Sequence, residues 1–314
     1  MPDFLNVIFN ILTSGLPCCL LAIGVFLTFR LLDFADMTAE GSFLLGASLT
    51  AACIYRGINP FVATLFGMLV GIVCGINTGV LNRVLKIPKL LSGIITLTAS
   101  MSIAMIIMGI TKPEQIFATQ IPLSLASGHK TIYSIFYPGN EWNKVVEAGV
   151  MTVVVTIVIV AVYYFFGTEY GMAIRATGMN EKMARSQGIN TNISSIACVG
   201  ISNGLIGLAG ALYVQDALSV STVSATGYLV IGLASILIGE AIFGKRSFKN
   251  WLISIALGAI LYFTIITVAI RLGFPTELKN LLYAILITLA LCIPFFKNWI
   301  NKLIESIRRR KVAC

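Results

Sequence analysis

The sequence predicts an all-α, polytopic membrane bundle, and three observations carry that prediction. Hydrophobic side chains make up 57% of the 314 residues and charged ones only 11%, less than half the roughly 25% charged content of a soluble domain. Apolar runs approaching the length that crosses a bilayer, about 20 residues, recur along the whole chain. The basic residues stand between those runs or near the C-terminal end, which is how topology distributes them in a membrane protein. An ordinary soluble enzyme and a disordered regulator are excluded by the same composition. The net charge of +9 is accounted for by that topology, and no nucleic-acid partner is expected.

The first run, Leu5 to Thr28, ends at Arg30. The opening Met1-Pro2-Asp3-Phe4 lacks the basic region of a secretory signal, so this run reads as a retained span. A polar stretch, Asp33 to Glu40, precedes a short run from Gly41 to Tyr55. Pro60 to Leu81 and Leu90 to Thr111 come next, then a polar connector over 112–144. Val145 to Phe166, Ile193 to Val214, Tyr228 to Phe243, Trp251 to Ile270 and Leu281 to Phe296 complete about nine crossings. The second and seventh are short or interrupted. The whole of 1–314 reads as a single transmembrane domain, closed by a basic tail over 297–314.

Alternate connectors differ in charge. One set holds Arg30, Arg83, Lys86, Lys89, Arg175, Lys182, Arg185, Lys245, Arg246, Lys249 and the six cations of the tail, sixteen of the 22 basic residues. The other holds Arg56, Lys112, Lys130, Lys144, Arg271 and Lys279. The richer set belongs in the cytoplasm, which puts the N-terminus outside and the C-terminus inside. Trp142, Trp251 and Trp299 fall near span ends, as an aromatic belt requires.

Glycines pattern the third and sixth runs. Gly67, Gly71, Gly75 and Gly79 form an i+4 stripe, and Gly200 and Gly204 are followed by Gly207 and Gly210. Small residues on one face let helix backbones approach closely in lipid, either within one subunit or between subunits. The two striped runs point in opposite directions by the charge pattern, as an inverted repeat would have them.

Chemistry is sparse. Gly239 to Arg246 resembles a phosphate-binding loop but has Arg246 where a hydroxyl should hold magnesium, and an apolar run precedes it in place of a strand. The seven cysteines include no CxxC pair, and six lie in apolar runs, so they read as packing residues. His129 is the only histidine. Polar groups at membrane depth are the remaining candidates. If helical, Asp33, Asp36 and Glu40 share one face, and Asp36 or Thr38 can cap the short second helix. Asp33, Asp36 or Glu240 would serve as carriers in an ion-coupled secondary transporter. Glu240 is also spaced to pair with Lys245. The fourth run is rich in hydroxyls: Ser92, Thr96, Thr98, Ser100 and Ser102.

The connector over 168–191 has its own signature. Met179 to Ser186 reads as a short amphipathic helix bracketed by Gly178 and Gly188. Gly171, Arg175, Ala176, Gly178, Asn180, Ala184, Gly188 and Ile189 stand at the places of a Gly-x-x-x-Arg-Ala-x-Gly-Glu-Asn-x-x-x-Ala-x-x-x-Gly-Ile pattern, with Met179 in place of the usual Glu. This segment resembles the coupling loop of the permease subunits of ABC importers, in the branched-chain amino acid and ribose permease superfamily. Phe34-Ala35 and Gly46-Ala47 resemble that superfamily's segment introducing a broken, path-lining second helix, with Asp33 for the usual Asn and Met37 for the usual Gly. Asp36-Met37-Thr38 with Glu40-Gly41-Ser42 is most similar to the tryptophan- and tyrosine-type permeases of Gram-positive bacteria.

The resemblance implies a non-enzymatic permease subunit of the bacterial cytoplasmic membrane, acting as a homodimer by alternating access on a small solute, an amino acid and an aromatic one by that closest wording. Cytosolic ATPase subunits would carry the ATP and magnesium, leaving no cofactor on this chain. They would grip the connector at Gly171, Arg175, Ala176, Gly178, Asn180, Glu181, Ala184, Arg185, Gly188 and Ile189. An extracytoplasmic solute-binding lipoprotein would deliver to the outer face. Phe34, Asp36, Thr38, Glu40, Ser42, Thr96, Thr98 and Ser100 would line the path, and Gly67, Gly71, Gly75, Gly79, Gly200 and Gly204 would pack helices.

Overall fold

The computed structural model describes residues 3–111, 117–123, 130–136 and 143–274, together with positions 281, 284, 285 and 288. Most of the predicted ninth span, the basic tail, and much of the 112–144 connector, with Trp142 and Trp299, lie outside the described residues.

Helix α1 (Asp3–Phe26) passes without a break into a π-helical turn, Leu27–Leu31. Residues 32–37 are not helical; Asp33 takes a left-handed conformation (φ 49°), and the Lys89 ammonium donates to its carbonyl at 2.8 Å. This break overturns the shared face expected of Asp33, Asp36 and Glu40: Asp33 is exposed and Asp36 is buried. Helix α2 (Thr38–Tyr55) starts three residues before the predicted run, because the Asp36 carboxylate accepts from the Thr38 N–H at 2.8 Å and so caps the first turn. It is buried at fifteen of its eighteen positions, as an all-round apolar helix must be. Around it pack α3 (Pro60–Arg83), α4 (Lys89–Gly109) and α9 (Thr191–Ala217). Pro60 opens α3 behind the Asn59 cap, whose side chain accepts from the Phe61 N–H.

Helix α6 (Asn143–Phe165) lies on α1; α11 (Tyr228–Phe243) and α12 (Phe248–Arg271) pack on each other and on α1. Short helices α5 (Ile132–Phe136), α7 (Glu169–Met179), α8 (Glu181–Ser186) and α10 (Thr222–Ala225) fill the connectors. Among the described residues, six helices are long and apolar enough to span a bilayer, with the 16-residue α11 shorter. The all-α expectation gains one small addition. Strands β1 (Gln120–Pro122) and β2 (Ser219–Ser221) pair antiparallel, Ile121 opposite Val220. The Leu123 N–H bonds the Leu218 carbonyl at 2.8 Å and extends the ribbon.

The most extensive contact is between α3 and α9, and the glycine stripe makes it. A Cβ on Gly71 would strike the Asn203 carbonyl, one on Gly75 the Val199 carbonyl, and one on Gly79 would come 2.9 Å from Ile196 Cα. Numbering falls along α9 as it rises along α3, so the two helices run antiparallel. Gly207 closes on the Gly67 carbonyl from the other side. Gly200 and Gly204 meet the Ile76 and Ile72 side chains. The stripe therefore packs helices within one subunit.

Candidate coupling surface and buried polar core

Each piece of the 168–191 connector is capped by its own polar side chain. Thr168 accepts from Gly171 N–H, Asn180 from Met183 N–H at 3.1 Å, and Asn190 from Ile193 N–H. These caps split the segment into α7, α8 and the start of α9. The amphipathic helix expected from Met179 to Ser186 is the six-residue α8, and Gly178 is no break. It lies inside α7, where a Cβ would overlap the Leu31 carbonyl at the end of the π-turn. Gly188, with φ 82°, does end α8.

A charge cluster fixes α8 to the bundle. Arg83, the last residue of α3, donates to Glu181 at 2.7 Å; Arg185 donates to the same oxygen at 2.8 Å, and its Nε donates to Thr191 Oγ1 at 2.7 Å. Partial burial pushes the Glu181 carboxyl up, but the Arg83 and Arg185 guanidiniums outweigh it and hold the group below its usual range. Ala184 is buried beneath the helix. Met183 on its outward side is 63% exposed, beside exposed Lys182, and Met179 at the end of α7 is 88% exposed. Beside it, Tyr170, Ile174, Ile189 and Ile193 line an apolar cavity of about 630 Å³ between α7 and α9. Arg175 turns the other way: its guanidinium lies 4.9 Å over the Phe248 ring of α12.

The second polar cluster is internal. Asp36, 1% exposed, accepts from Asn203 Nδ2 at 2.7 Å, and Ser42 donates to Asn203 Oδ1 at 2.7 Å. Thr38 and Thr78 hydroxyls meet at 2.7 Å, and Asn77 donates to Thr96 at 3.2 Å. These bonds tie α2, α3, α4 and α9 together at membrane depth, where each buried polar group needs a partner. Phe34, Asp36, Thr38, Ser42, Thr96 and Ser100 are all buried inside the subunit, and Glu40 is half-buried with its carboxylate on the Gly227 N–H. Thr98 alone of the expected path residues is exposed, one turn from exposed Ser102 on the free face of α4.

Glu240 departs from its expected partner. Arg30 grips its carboxylate with two nitrogens, at 3.0 and 2.5 Å, and the Trp251 indole donates at 2.9 Å. The distant Arg30 wins over Lys245 because the π-turn brings it to the end of α11, where a planar guanidinium offers two bonds. Two of the three carboxylates expected of an ion-coupled carrier have structural partners here, Asp36 with Asn203 and Glu240 with Arg30, and the third, Asp33, is exposed. Sequence reasoning missed Arg83 and Asn203, each a member of a site whose other half lies 98 or 167 residues away; no local signal marks either one.

A bundle of apolar helices closed by polar ties at membrane depth, with one charged helical arm at the edge, defines a multi-pass membrane protein. The chain belongs to the family described as the permease component of the branched-chain amino acid transport system, whose model matches residues 7–291. It is the permease component of an ABC transport system and not an enzyme. It is 35% identical to a tyrosine transport system permease protein of Clostridioides difficile (strain R20291), over 89% of this chain and 88% of that one. Lower similarity extends to a ribose import permease protein of Escherichia coli (strain K12), 22% identical over 93% and 87%. A probable branched-chain amino acid transport permease protein of Methanocaldococcus jannaschii is 25% identical over 88% and 86%. No solved structure matches the chain.

Proposed function

We propose that this chain is the permease of an importer for an amino acid, with an aromatic one such as tyrosine the first substrate to test. Two copies form the path across the bacterial cytoplasmic membrane by alternating access, N-terminus outside and C-terminus inside. Cytosolic ATPase subunits, which hold the ATP and magnesium, engage α7 and α8, and an extracytoplasmic lipoprotein delivers the solute. The observation that carries the reading is the α8 arm. It is too short to be a stable helix alone, yet Arg83 of α3 holds it through Glu181, and its Met183 faces outward beside Met179 at the end of α7. A flexible apolar pair flanked by charge suits a groove on another chain. The relative named for tyrosine transport supports the substrate class. Sixteen basic residues in one set of connectors support the orientation.

Within that dimer the path runs along the free face of α4. Thr98 and Ser102 are exposed hydroxyls one turn apart, each bonded back to a carbonyl of α4, and they are the polar groups this face offers to a solute. Phe34, Asp36, Thr38, Glu40, Ser42, Thr96 and Ser100 form the wall behind that face and fix its shape.

The test is reconstitution with the ATPase and the binding protein. Tyrosine-loaded binding protein stimulates ATP hydrolysis and drives uptake in the wild type. Deletion of 179–186 leaves the permease inserted and abolishes ATP-driven uptake. Unchanged coupled uptake in that deletion, or uptake that survives without any ATPase, overturns the reading.

A further inference from the structure

Two cavities of the subunit share a wall. One, of about 480 Å³, is lined by Tyr163, Tyr164, Arg175, Ser247, Phe248 and Lys249, where the end of α6, the middle of α7 and the start of α12 meet. The other, of about 430 Å³, takes in Tyr163, Tyr164 and Lys249 again and continues as a groove between α6 and α12, past Thr156, Ile159, Val160, Leu252 and Ile253. The first holds both cations, Arg175 and Lys249, whereas the second beyond the shared tyrosines and Lys249 is lined by Thr156 and four aliphatic side chains. Neither contains an acidic side chain.

The charges are uncompensated. Among the described residues Arg175 and Lys249 have no carboxylate partner, and the Arg175 guanidinium is held in place only by the Phe248 ring. Two cations face a concavity without a counter-ion. The tyrosines set its depth. Tyr163 and Tyr164 are exposed at the end of a span, the position aromatic residues take at the membrane–water interface. From Tyr164 back to Thr156 the groove descends eight residues of helix, roughly 12 Å at 1.5 Å per residue, into the hydrocarbon zone.

A cationic head pocket at the interface, continuous with an apolar trough below it, has the shape and polarity of an amphiphile with an anionic head. We propose that this composite cavity binds one anionic phospholipid, its phosphate between Arg175 and Lys249 and an acyl chain between α6 and α12. A free inorganic phosphate would use the head pocket and leave the groove idle. A zwitterionic lipid would use the groove, with its own ammonium opposing the two cations. The site bears on α7, so the bound lipid bridges α12 to the helix that leads into α8.

Native mass spectrometry of the full-length permease in mild detergent tests this, with dioleoyl-phosphatidylglycerol and dioleoyl-phosphatidylcholine added at equal concentration. The measurement needs neither ATPase nor solute, so its failure is separate from any failure of the import reading. The wild type retains phosphatidylglycerol in preference. Arg175→Gln and Lys249→Gln each lower that preference about fivefold, the worth of one cation near an anionic headgroup; Lys249→Arg keeps it, as does Arg56→Gln at the far end of the bundle. Val160→Trp fills the groove and lowers retention of both lipids. Equal retention of the two lipids by the wild type, or an unchanged preference in the Arg175→Gln/Lys249→Gln double variant, overturns the proposal. Displacement of phosphatidylglycerol by millimolar inorganic phosphate would also overturn it, because the groove would then contribute nothing.

Discussion

The α3–α9 seam and the α7–α8 arm both join distant parts of the chain, but by opposite means. At the seam, backbone meets backbone: glycines let α3 and α9 close on each other, and a buried polar knot beside it, Asp36–Asn203–Ser42, ties α9 to the start of α2. At the arm, the connection of α8 to the bundle is polar, through Arg83 to Glu181 and through Arg185 to Thr191. Close packing resists change within tenths of an ångström, whereas an exposed ion pair is weak and screened by salt. A single chain thus holds a part that must not move beside a part that has freedom to do so.

That contrast is broken most severely by Gly75→Leu. The added side chain meets the Val199 backbone, which has nowhere to go, and overpacking costs of about 3 kcal/mol or more follow. A large fall in thermal stability and loss of monodisperse protein on size-exclusion chromatography are expected. Asn203→Leu comes next: it removes the donor to buried Asp36 and costs about 2–3 kcal/mol. The Asp36→Leu/Asn203→Leu double variant is less destabilised than Asn203→Leu alone, which a thermal-unfolding cycle checks. At the arm, Met183→Asp changes stability by less than about 0.5 kcal/mol, yet disrupts ATP-driven uptake in proteoliposomes. A stability loss as large as that of the seam variants would erase the distinction.

The smallest effect is a pH dependence. The Glu181 carboxyl is held below 4.5 in the folded state, so its contribution is present above the unfolded value and is lost as pH falls through the lower folded one. Hydrogen exchange over 181–191 therefore quickens below about pH 4.5, while the α3–α9 seam stays protected. Glu181→Gln removes the pH dependence of the arm.

Much of this was legible in the sequence. Hydropathy located the helices to within a few residues, and α11 matched its predicted bounds, Tyr228 to Phe243, because a left-handed glycine flanks it at each end. Glycine spacing located the seam helix, since periodicity is a property of one segment. Partnerships across the chain were not legible. Spacing pairs Glu240 with nearby Lys245, whereas Arg30 holds it, and it brackets α8 with Gly178, which instead admits the Leu31 carbonyl against α7. Both depend on where the π-turn at the end of α1 delivers its residues, and nothing in the local composition of that turn reports its destination.

Helix α9 touches nearly everything described above. At one end Arg185 holds Thr191; at the other, the Leu218 carbonyl takes the Leu123 N–H beside the ribbon, and Gln215 accepts from the Ile132 N–H of the 112–144 connector. Its 27 residues span roughly 40 Å. The consequence is mechanical. A stiff rod fastened at both ends and seated along the glycine seam behaves as a spacer: it holds the arm and the ribbon a fixed distance apart.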